Sequence, residues 1–216
     1  MNKKPIDFII FDFDGTLTNS IPPAIDAIQS MIKELGYPYK TKEEISSYVG
    51  YGEIYLVSNS IGKKDMETSQ QAMDVYFDYY KKEGIKKVTF YPNVISTLKL
   101  LKEKKKAIIS NKRYELMKII LKDHGIEDLF IEILGGVNAP CLKPDPCAIN
   151  KIIEREKIQR EKVLFVGDMT IDIKTGKNAG IATCAVTYGF DPIEKLKGSN
   201  PDYLIDDFSQ LREIIM

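Results

Sequence analysis

The sequence predicts an α/β protein in which a doubly wound parallel sheet carries an inserted block of helices. Short apolar runs without alternation, which suit strands buried on both faces, recur along the chain. From residue 85 onward these runs alternate with segments of helical periodicity, whereas residues 21–84 contain no strand signal. This order predicts a Rossmann-like core formed by residues 1–20 and 85–216, with a small helical bundle at residues 21–84, here called the helical insert.

The first predicted strand is the apolar run Phe8–Phe11, which is followed by Asp12, Asp14 and Gly15. Residues two apart on a strand point to the same side, so the two carboxylates are predicted to face one spot. Two carboxylates this close require a proton, a cation or a raised pKa. An ordinary Asp-Gly turn would explain Gly15, but not a second carboxylate directly behind a fully apolar run.

Four helices are predicted within the helical insert. The first has apolar residues at helical spacing over Ile21–Leu35, and its two prolines suit a first turn. A capping box at Thr41 begins a short second helix. After the break at Gly50-Tyr-Gly, the third and fourth helices are predicted over Glu53–Ser60 and Asp65–Glu83.

The rest of the chain alternates between strands and helices. The predicted strands are Lys106–Ser110, Ile131–Leu134, Val163–Val166, Ala182–Val186 and Tyr203–Ile205. The predicted helices cover residues 91–104, 113–124, 145–156 and 208–215, and one more ends at Asn178. Because the carboxyl ends of parallel strands lie at one edge of the sheet, side chains that follow the strands are predicted to meet there.

Polar side chains follow several of the predicted strands or stand in the loop before a helix. Carboxylate oxygens suit Mg²⁺, which shares its coordination sphere with substrate phosphate, and lysine and hydroxyl groups suit phosphate oxygens. Taken singly, each residue has an ordinary explanation as a helix cap, a turn or a solvated lysine, but their joint placement favours a site. The set is Asp12, Asp14, Ser110, Asn111, Lys143, Asp168 and Asp172, with Lys112 next to Asn111.

Composition bears on several function classes. The 31 basic and 31 acidic residues balance, so no global field attracts nucleic acid or a membrane surface. No apolar run reaches spanning length, and no signal peptide is recognised before the first strand. Cys141, Cys147 and Cys184 suggest no disulfide framework and lie far from His124, so thiols in a reducing compartment are predicted and a zinc site is not. These observations predict a cytoplasmic protein.

Four motifs stand in order at the predicted strand ends, and they cover essentially the whole chain. They are Asp12-Phe-Asp14-Gly-Thr16, Ser110-Asn111-Lys112, Lys143-Pro-Asp-Pro and Gly167-Asp168-Met-Thr-Ile-Asp172. With these motifs the chain resembles the haloacid dehalogenase-like phosphohydrolases. The sequence around the helical insert, including Val49-Gly-Tyr-Gly-Glu and Tyr91-Pro-Asn-Val, is most similar to their phosphoglycolate phosphatase group.

The resemblance implies a magnesium-dependent phosphatase that acts through an aspartyl-phosphate. Asp12 would be the nucleophile, and Asp14 would protonate the leaving group and then activate water. Asp12, the backbone carbonyl of Asp14 and Asp168 would hold Mg²⁺, with Asp172 close to the metal.

The resemblance also implies how the substrate is held. Ser110, Lys143 and the backbone near Asn111 would bind the phosphoryl oxygens, and Lys143 would keep the nucleophile ionised. The helical insert corresponds to the small four-helix cap of the family, which closes over the site. The glycine-flanked break between its second and third helices would direct Tyr51 and Glu53 toward the leaving group, which the Asn19-Ser20 hinge would also meet.

Several alternatives remain open at this stage. An inorganic pyrophosphatase or a broad-specificity sugar or nucleotide phosphatase of the same family would share these motifs. A phosphate-binding or phospho-aspartate signalling protein is the non-enzyme alternative, although receiver domains lack both the insert and the acid at Asp14. All four arginines lie outside the insert, so a second anionic group would depend on backbone amides or on Lys63 and Lys64. The expected partner is a small phosphorylated metabolite, and the expected state is a monomer or homodimer.

Overall fold

A parallel β-sheet forms the centre of the computed structural model, which describes residues 5–62 and 65–215. The strands are β1 (Phe8–Phe11), β2 (Thr18–Asn19), β3 (Thr89–Phe90), β4 (Lys105–Ser110), β5 (Glu132–Gly135), β6 (Val163–Gly167), β7 (Ala182–Val186) and β8 (Tyr203–Ile205). Six of them form the sheet in the order β5-β4-β1-β6-β7-β8, and β2 and β3 form a separate antiparallel pair. The predicted doubly wound parallel sheet is confirmed.

The central strand β1 is buried on both faces, as its unbroken apolar run predicts. Phe8 and Ile10 belong to the hydrophobic cluster on one face of the sheet, and Ile9 and Phe11 belong to the cluster on the other face. Parallel pairing with β4 and β6 aligns the three strands along most of their length. The chain therefore leaves these three strands at the same edge, and the residues that follow each strand lie near one another.

Helices cover both faces of the sheet and make up most of residues 21–84. In the described part of the chain they are α1 (Ile21–Glu34), α2 (Lys42–Ser46), α3 (Glu53–Ile61), α4 (Met66–Tyr79), α5 (Val94–Leu100), α6 (Tyr114–Asp123), α7 (Cys147–Glu156), α8 (Thr170–Asn178), α9 (Ile193–Gly198) and α10 (Leu211–Ile215). The predicted capping box at Thr41 is present, with its hydroxyl accepting from the Glu44 amide. No helix of the described ranges combines the length and apolar composition that a membrane span requires.

Three short elements were not predicted, and the fourth helix ends differently. The strands β2 and β3 have two residues each, and α9 buries only Leu196, so none of the three elements gives a periodic pattern of apolar residues. The helix predicted to reach Glu83 ends as α4 at Tyr79 and continues as a π-helical turn over Tyr80–Gly84. A side chain at Gly84 would come within 2.8 Å of the Tyr80 ring, so this turn depends on glycine.

The prediction of free thiols at Cys141 and Cys147 is wrong, because these residues form a disulfide. Their Cα atoms are 6.1 Å apart, a separation that a disulfide bridges. The sequence spacing concealed this pairing because the intervening loop folds back on itself. Cys184 is the free thiol, and burial raises its pKa above the usual range. The disulfide therefore closes the loop that carries Lys143.

We expect Phe11→Ala to lower the free energy of unfolding by about 3–5 kcal/mol, because truncating a buried ring leaves a cavity. The Phe11 ring is fully buried and packs against Phe130 and Phe208, with ring centroids 6.4 and 5.7 Å away. Urea unfolding measures the change. The control Leu100→Ala removes a side chain that is 60% exposed, and it should change stability by less than about 0.5 kcal/mol. Equal stability of Phe11→Ala and wild type would contradict the central position of this ring.

Candidate active site

Residues that follow β1, β4 and β6 meet the helical insert around one cavity of about 50 Å³. This is room for on the order of four water molecules. The sheet side contributes acids, amides and lysines, whereas the insert contributes mainly apolar side chains and glycine backbone. The sheet side provides Asp12, Asp14, Ser20, Ser110, Asn111, Lys112, Lys143 and Met169, and the insert provides Ile21, Ala24, Val49, Gly50, Gly52, Glu53 and Leu56.

Lys143 lies between two buried carboxylates. Its Nζ atom is 2.8 Å from Asp12 Oδ1 and 2.6 Å from Asp172 Oδ1. Burial alone would lower the pKa of Lys143, but the two carboxylates outweigh burial and raise it, so the ammonium group stays charged. The backbone amide of Met169 donates to Asp172 Oδ2 at 2.9 Å and fixes that carboxylate. Lys143 therefore has two anchored counterions and a fixed position beside Asp12.

Asp168 is held in position by two hydrogen bonds. The Thr16 hydroxyl donates to Asp168 Oδ1 at 2.8 Å, and the Phe190 amide donates to Oδ2 at 2.8 Å. Gly15 adopts a φ of +83°, and a Cβ at this position would lie 2.2 Å from Asp168 Oδ2. Glycine is therefore required here both for the backbone conformation and for the close approach of the carboxylate.

Three buried carboxylates, Asp12, Asp168 and Asp172, bring oxygen atoms within 4.8 Å of one another. Burial, partly offset by Lys143, raises the pKa of Asp12 to about 6. Burial and the neighbouring carboxylates raise the pKa of Asp168 well above its usual range. One ammonium does not balance three carboxylates, so this set of hard oxygen donors fits a divalent cation such as Mg²⁺.

Asp14 lines the cavity outside this carboxylate cluster. Its Oδ1 atom accepts a hydrogen bond from the Ser20 hydroxyl and lies 3.1 Å from Lys112 Nζ. Lys112 is itself buried, and its Nζ atom lies 4.6 Å from the centre of the Tyr80 ring. Burial would lower the pKa of Lys112, but the Asp14 carboxylate outweighs this effect and raises it. Asp14 is therefore held by one hydroxyl and one ammonium group at the edge of the cavity.

Two residues at the end of β4 have different roles. Ser110, the last residue of the strand, faces the cavity with a free hydroxyl proton, and Asn111, the next residue, links two loops. Ser110 Oγ accepts from the Lys112 amide at 3.4 Å and donates to no described residue. The Asn111 side chain accepts from the Lys143 amide at 2.9 Å and donates to the Lys143 and Gly50 carbonyls at 3.2 and 3.0 Å. The Asn111 side chain thus joins the Lys143 loop to the helical insert, and only its backbone is left for a ligand.

Tyr51 and Glu53 are not brought together, contrary to the expectation that both face the leaving group. Tyr51 is 48% exposed, and its ring packs against Tyr55 at 5.2 Å, outside the cavity lining. Glu53 begins α3 and lines the cavity. The backbone turns at Gly50 and Gly52, with φ values of 98° and 95°, and thereby separates the two side chains. Tyr51 therefore does not belong to the cavity, whereas Glu53 does.

The sequence predicted Ser20 only as part of a hinge that meets the leaving group and gave Lys112 no separate role, whereas the structure shows that both contact Asp14. Lys112 had a usable signal, because it completes the motif that follows β4. The contact between Ser20 and Asp14 gave no sequence signal, because it depends on the path of the chain from β1 into α1.

An arginine does reach the helical insert, although none lies within it. The Arg113 guanidinium is 3.9 Å from the centre of the Phe77 ring on α4, and its Nε atom is 3.9 Å from Glu53 Oε2. Lys63 and Lys64, the lysines suggested for a second anionic group, lie outside the described residues. Arg113 is therefore the guanidinium that the sequence did not associate with the insert.

Comparisons with known proteins agree with this architecture. The family model described as haloacid dehalogenase-like hydrolase matches residues 9–186. A phosphoglycolate phosphatase of Vibrio vulnificus (strain YJ016) is 34% identical over 225 residues, covering 100% of this chain and 99% of the relative. A phosphoglycolate phosphatase of Psychrobacter arcticus is 37% identical and covers 96% and 95% of the two chains. A crystal structure from Haemophilus somnus 129pt, described as a predicted phosphoglycolate phosphatase, has a TM-score of 0.91 and 29% identity over 98% of both chains.

Without metal, the protein is expected to lose stability as the pH rises from about 4 to above 6. Because the pKa of Asp12 is raised from 3.8 to about 6, the folded state holds this proton more tightly than the unfolded state. The resulting stability is fully present below the unfolded pKa and is lost as the pH rises through the folded pKa, and Asp168 acts in the same direction.

Chemical unfolding in a chelator at a series of pH values tests this expectation. Asp12→Asn cannot lose a proton and should flatten part of the profile, whereas Asp128→Asn, at an exposed position, should leave it unchanged. Identical profiles for wild type and Asp12→Asn would contradict the electrostatic account.

Proposed function

The chain belongs to the haloacid dehalogenase-like hydrolase family, and on this premise we propose that it is a magnesium-dependent phosphatase acting through an aspartyl-phosphate. Its substrate is a small phosphate monoester, and 2-phosphoglycolate is the first candidate because the curated relatives are phosphoglycolate phosphatases. The observation that supports the chemistry best is the Asp12–Lys143 ion pair beside three buried carboxylates. This combination offers a charged nucleophile and a place for a cation in one cavity.

In the proposed first step, a carboxylate oxygen of Asp12 attacks phosphorus and the bond to the leaving oxygen breaks. Lys143 favours the ionised form of Asp12 against the effect of burial, and it offers its ammonium group to the phosphoryl oxygens. The leaving oxygen takes a proton from Asp14. In the second step water attacks the aspartyl-phosphate, Asp14 accepts a proton from that water, and phosphate and free Asp12 are released.

Asp12, Asp168 and the backbone carbonyl of Asp14 would hold the cation, with Asp172 beside them. A bound Mg²⁺ supplies positive charge to the phosphoryl oxygens. Asp172 fixes Lys143 through its 2.6 Å contact, so its proposed role combines charge balance near the metal with orientation of the lysine. The Ser110 hydroxyl has a proton that no described residue uses, and this supports its proposed role as a donor to phosphate.

The proposed role of the helical insert is that of a cap over the cavity. Its Gly50 carbonyl is tied to Asn111, and the small cavity beneath it suits a compact leaving group while excluding bulk water. The partner is thus a small phosphorylated metabolite. A cytoplasmic location and a monomeric or homodimeric state stay predictions from the sequence.

We expect turnover of 2-phosphoglycolate to require Mg²⁺, to be abolished by chelation and to return when Mg²⁺ is added. The physical reason is the excess negative charge of the carboxylate cluster, which opposes binding of a phosphate dianion. Phosphate release, measured in parallel with pyrophosphate, sugar phosphates and nucleotides, also tests the alternative substrates. Full activity in chelator would refute the metal requirement, and binding of phosphate without any turnover would favour the non-enzyme alternative.

The two aspartates that follow β1 should be separable by kinetics. Asp12→Asn should abolish turnover in a folded protein, because the amide lacks the nucleophilic charge. Asp14→Asn should lower kcat by on the order of a hundredfold to ten-thousandfold, with little change in Mg²⁺ affinity, because only its backbone carbonyl is proposed as a metal ligand. Steady-state kinetics and calorimetric Mg²⁺ titration measure the two effects. A large loss of Mg²⁺ affinity in Asp14→Asn, with normal kcat at saturating Mg²⁺, would reverse this assignment.

A further inference from the structure

We propose that Lys112 binds a carboxylate of the leaving group and thereby selects small phosphate esters in which one carbon separates a carboxylate from the ester oxygen. This inference rests on the phosphatase function proposed above and assigns a specificity-determining residue to the same cavity. The substrate class is that of phosphorylated 2-hydroxy acids, of which 2-phosphoglycolate is the smallest.

The first observation is that the two cations lining the cavity are paired differently. In the described part of the chain these cations are Lys143 and Lys112. Lys143 Nζ lies within 2.8 Å of two carboxylate oxygens, which belong to Asp12 and Asp172. Lys112 Nζ has a single carboxylate within 4 Å among the described residues, that of Asp14 at 3.1 Å. Lys112 therefore lacks the second anion that Lys143 has.

The second observation is a spare donor on this buried ammonium group. The Lys112 side chain is only 4% exposed, so bulk water does not saturate its N–H groups. One of its three donors faces Asp14, and another faces the side chain of Tyr80, over whose ring the Nζ atom lies at 4.6 Å from the centre. The third donor is left for a ligand in the cavity. A carboxylate is the acceptor that forms the strongest hydrogen bond with it, because both partners are charged.

The third observation is the position of Lys112 relative to the leaving oxygen. Asp14 is proposed to give its proton to that oxygen, which requires the two to be within hydrogen-bond distance. Lys112 Nζ is 3.1 Å from Asp14 Oδ1, so a group joined to the leaving oxygen through one carbon comes within its reach. Lys143 lies instead beside the proposed nucleophile Asp12, where the phosphoryl group is transferred. A carboxylate on the leaving group therefore meets Lys112.

Glu53 lines the same cavity, and its negative charge has to be accommodated. Its carboxylate accepts a hydrogen bond from the backbone amide of Arg113, whose Nε atom lies 3.9 Å from Oε2. Burial, partly offset by Lys112, raises the pKa of Glu53 to about 7. Glu53 can therefore take up a proton at little cost when a second anion enters, and it then donates to that anion instead of repelling it. The titratable and charged groups that face Glu53 are Lys112, Arg113, Asp14, Tyr76 and Tyr80.

Arg113 is a less suitable partner for the carboxylate than Lys112. Its guanidinium stacks on Phe77 at 3.9 Å from the ring centre, and Arg113 is not among the residues that line the cavity. The lysines that the sequence suggested for a second anionic group, Lys63 and Lys64, lie outside the described residues. Lys112 is thus the cation that a leaving group inside the cavity can contact.

The test compares 2-phosphoglycolate with its amide, carbamoylmethyl phosphate, in the presence of Mg²⁺. The two esters have nearly the same shape, and only the first carries a carboxylate. We measure kcat/KM of both esters for wild type, Lys112→Met, Lys112→Gln and the control Lys118→Met, which removes a lysine of α6 that is 47% exposed. Because Lys112 also contacts Asp14, its loss is expected to slow both reactions, and the ratio of the two kcat/KM values isolates the carboxylate contact.

Wild type should prefer 2-phosphoglycolate over the amide by on the order of tenfold to a hundredfold, as expected for a hydrogen bond between charged groups. Lys112→Met should bring the ratio to about one, mainly by raising KM for 2-phosphoglycolate, because a binding contact is lost. If Lys112→Met does not fold, Lys112→Gln carries the test, since it keeps a donor without the charge and should lower the ratio by roughly threefold to tenfold. Lys118→Met should keep the wild-type ratio. An unchanged ratio in a folded Lys112 variant overturns the assignment, and so does a wild type that does not prefer 2-phosphoglycolate.

Failure of the proposed function gives a different result. If wild type hydrolyses both esters equally well, the phosphatase proposal stands and the role of Lys112 is refuted. If wild type hydrolyses neither ester, the phosphatase proposal is wrong, and calorimetric binding of both esters to wild type and Lys112→Met decides the role of Lys112 by itself. Tighter binding of 2-phosphoglycolate than of the amide, lost in Lys112→Met, would support the carboxylate contact, and equal binding would overturn it.

Discussion

The arrangement of the cavity depends on one buried ammonium group between two carboxylates. Lys143 contacts Asp12 and Asp172 within 2.8 Å, and all three side chains are almost fully buried. Removing one member of such a group leaves an unbalanced buried charge, which costs far more than a surface ion pair provides. The surrounding structure therefore has to hold the lysine in one position. Asn111 does so by bonding both the amide and the carbonyl of Lys143, and the Cys141–Cys147 disulfide closes the same loop.

The same constraint explains why small residues surround the acids. The carboxylate of Asp168 occupies the space where a side chain at Gly15 would lie, and that of Asp172 lies equally close to Gly167. Packing thus allows the acids to approach one another closely, and hydrogen bonds from backbone amides and Thr16 fix them there. The repulsion that results is the physical source of the raised pKa of Asp168, after burial itself. Because Lys143 contacts the two other acids, this set of three carboxylates fits a divalent cation.

The sheet and its acids could be predicted because their signals are local. The apolar run Phe8–Phe11 identifies a buried strand, and parallel topology brings the residues that follow neighbouring strands to one edge. Contacts between the insert and the sheet could not be predicted in this way. The position of Tyr51 depends on two glycines with positive φ, and the pairing of Cys141 with Cys147 depends on how a loop folds back. Such features depend on the three-dimensional path of the chain, which the periodicity of apolar residues does not encode.

Glu53 is an example of this second kind of information. By its position alone, Glu53 is an ordinary acid in the first turn of a helix, where the helix dipole favours negative charge. Glu67 occupies a similar position in α4 but is exposed, so water satisfies its oxygens. The difference between the two residues is that the Glu53 side chain is only 11% exposed and lines the cavity, with the Arg113 Nε atom 3.9 Å from its Oε2 atom. The residues proposed to bind phosphate are therefore recognised by their order in the chain, whereas the surroundings of Glu53 follow only from the three-dimensional path of the chain.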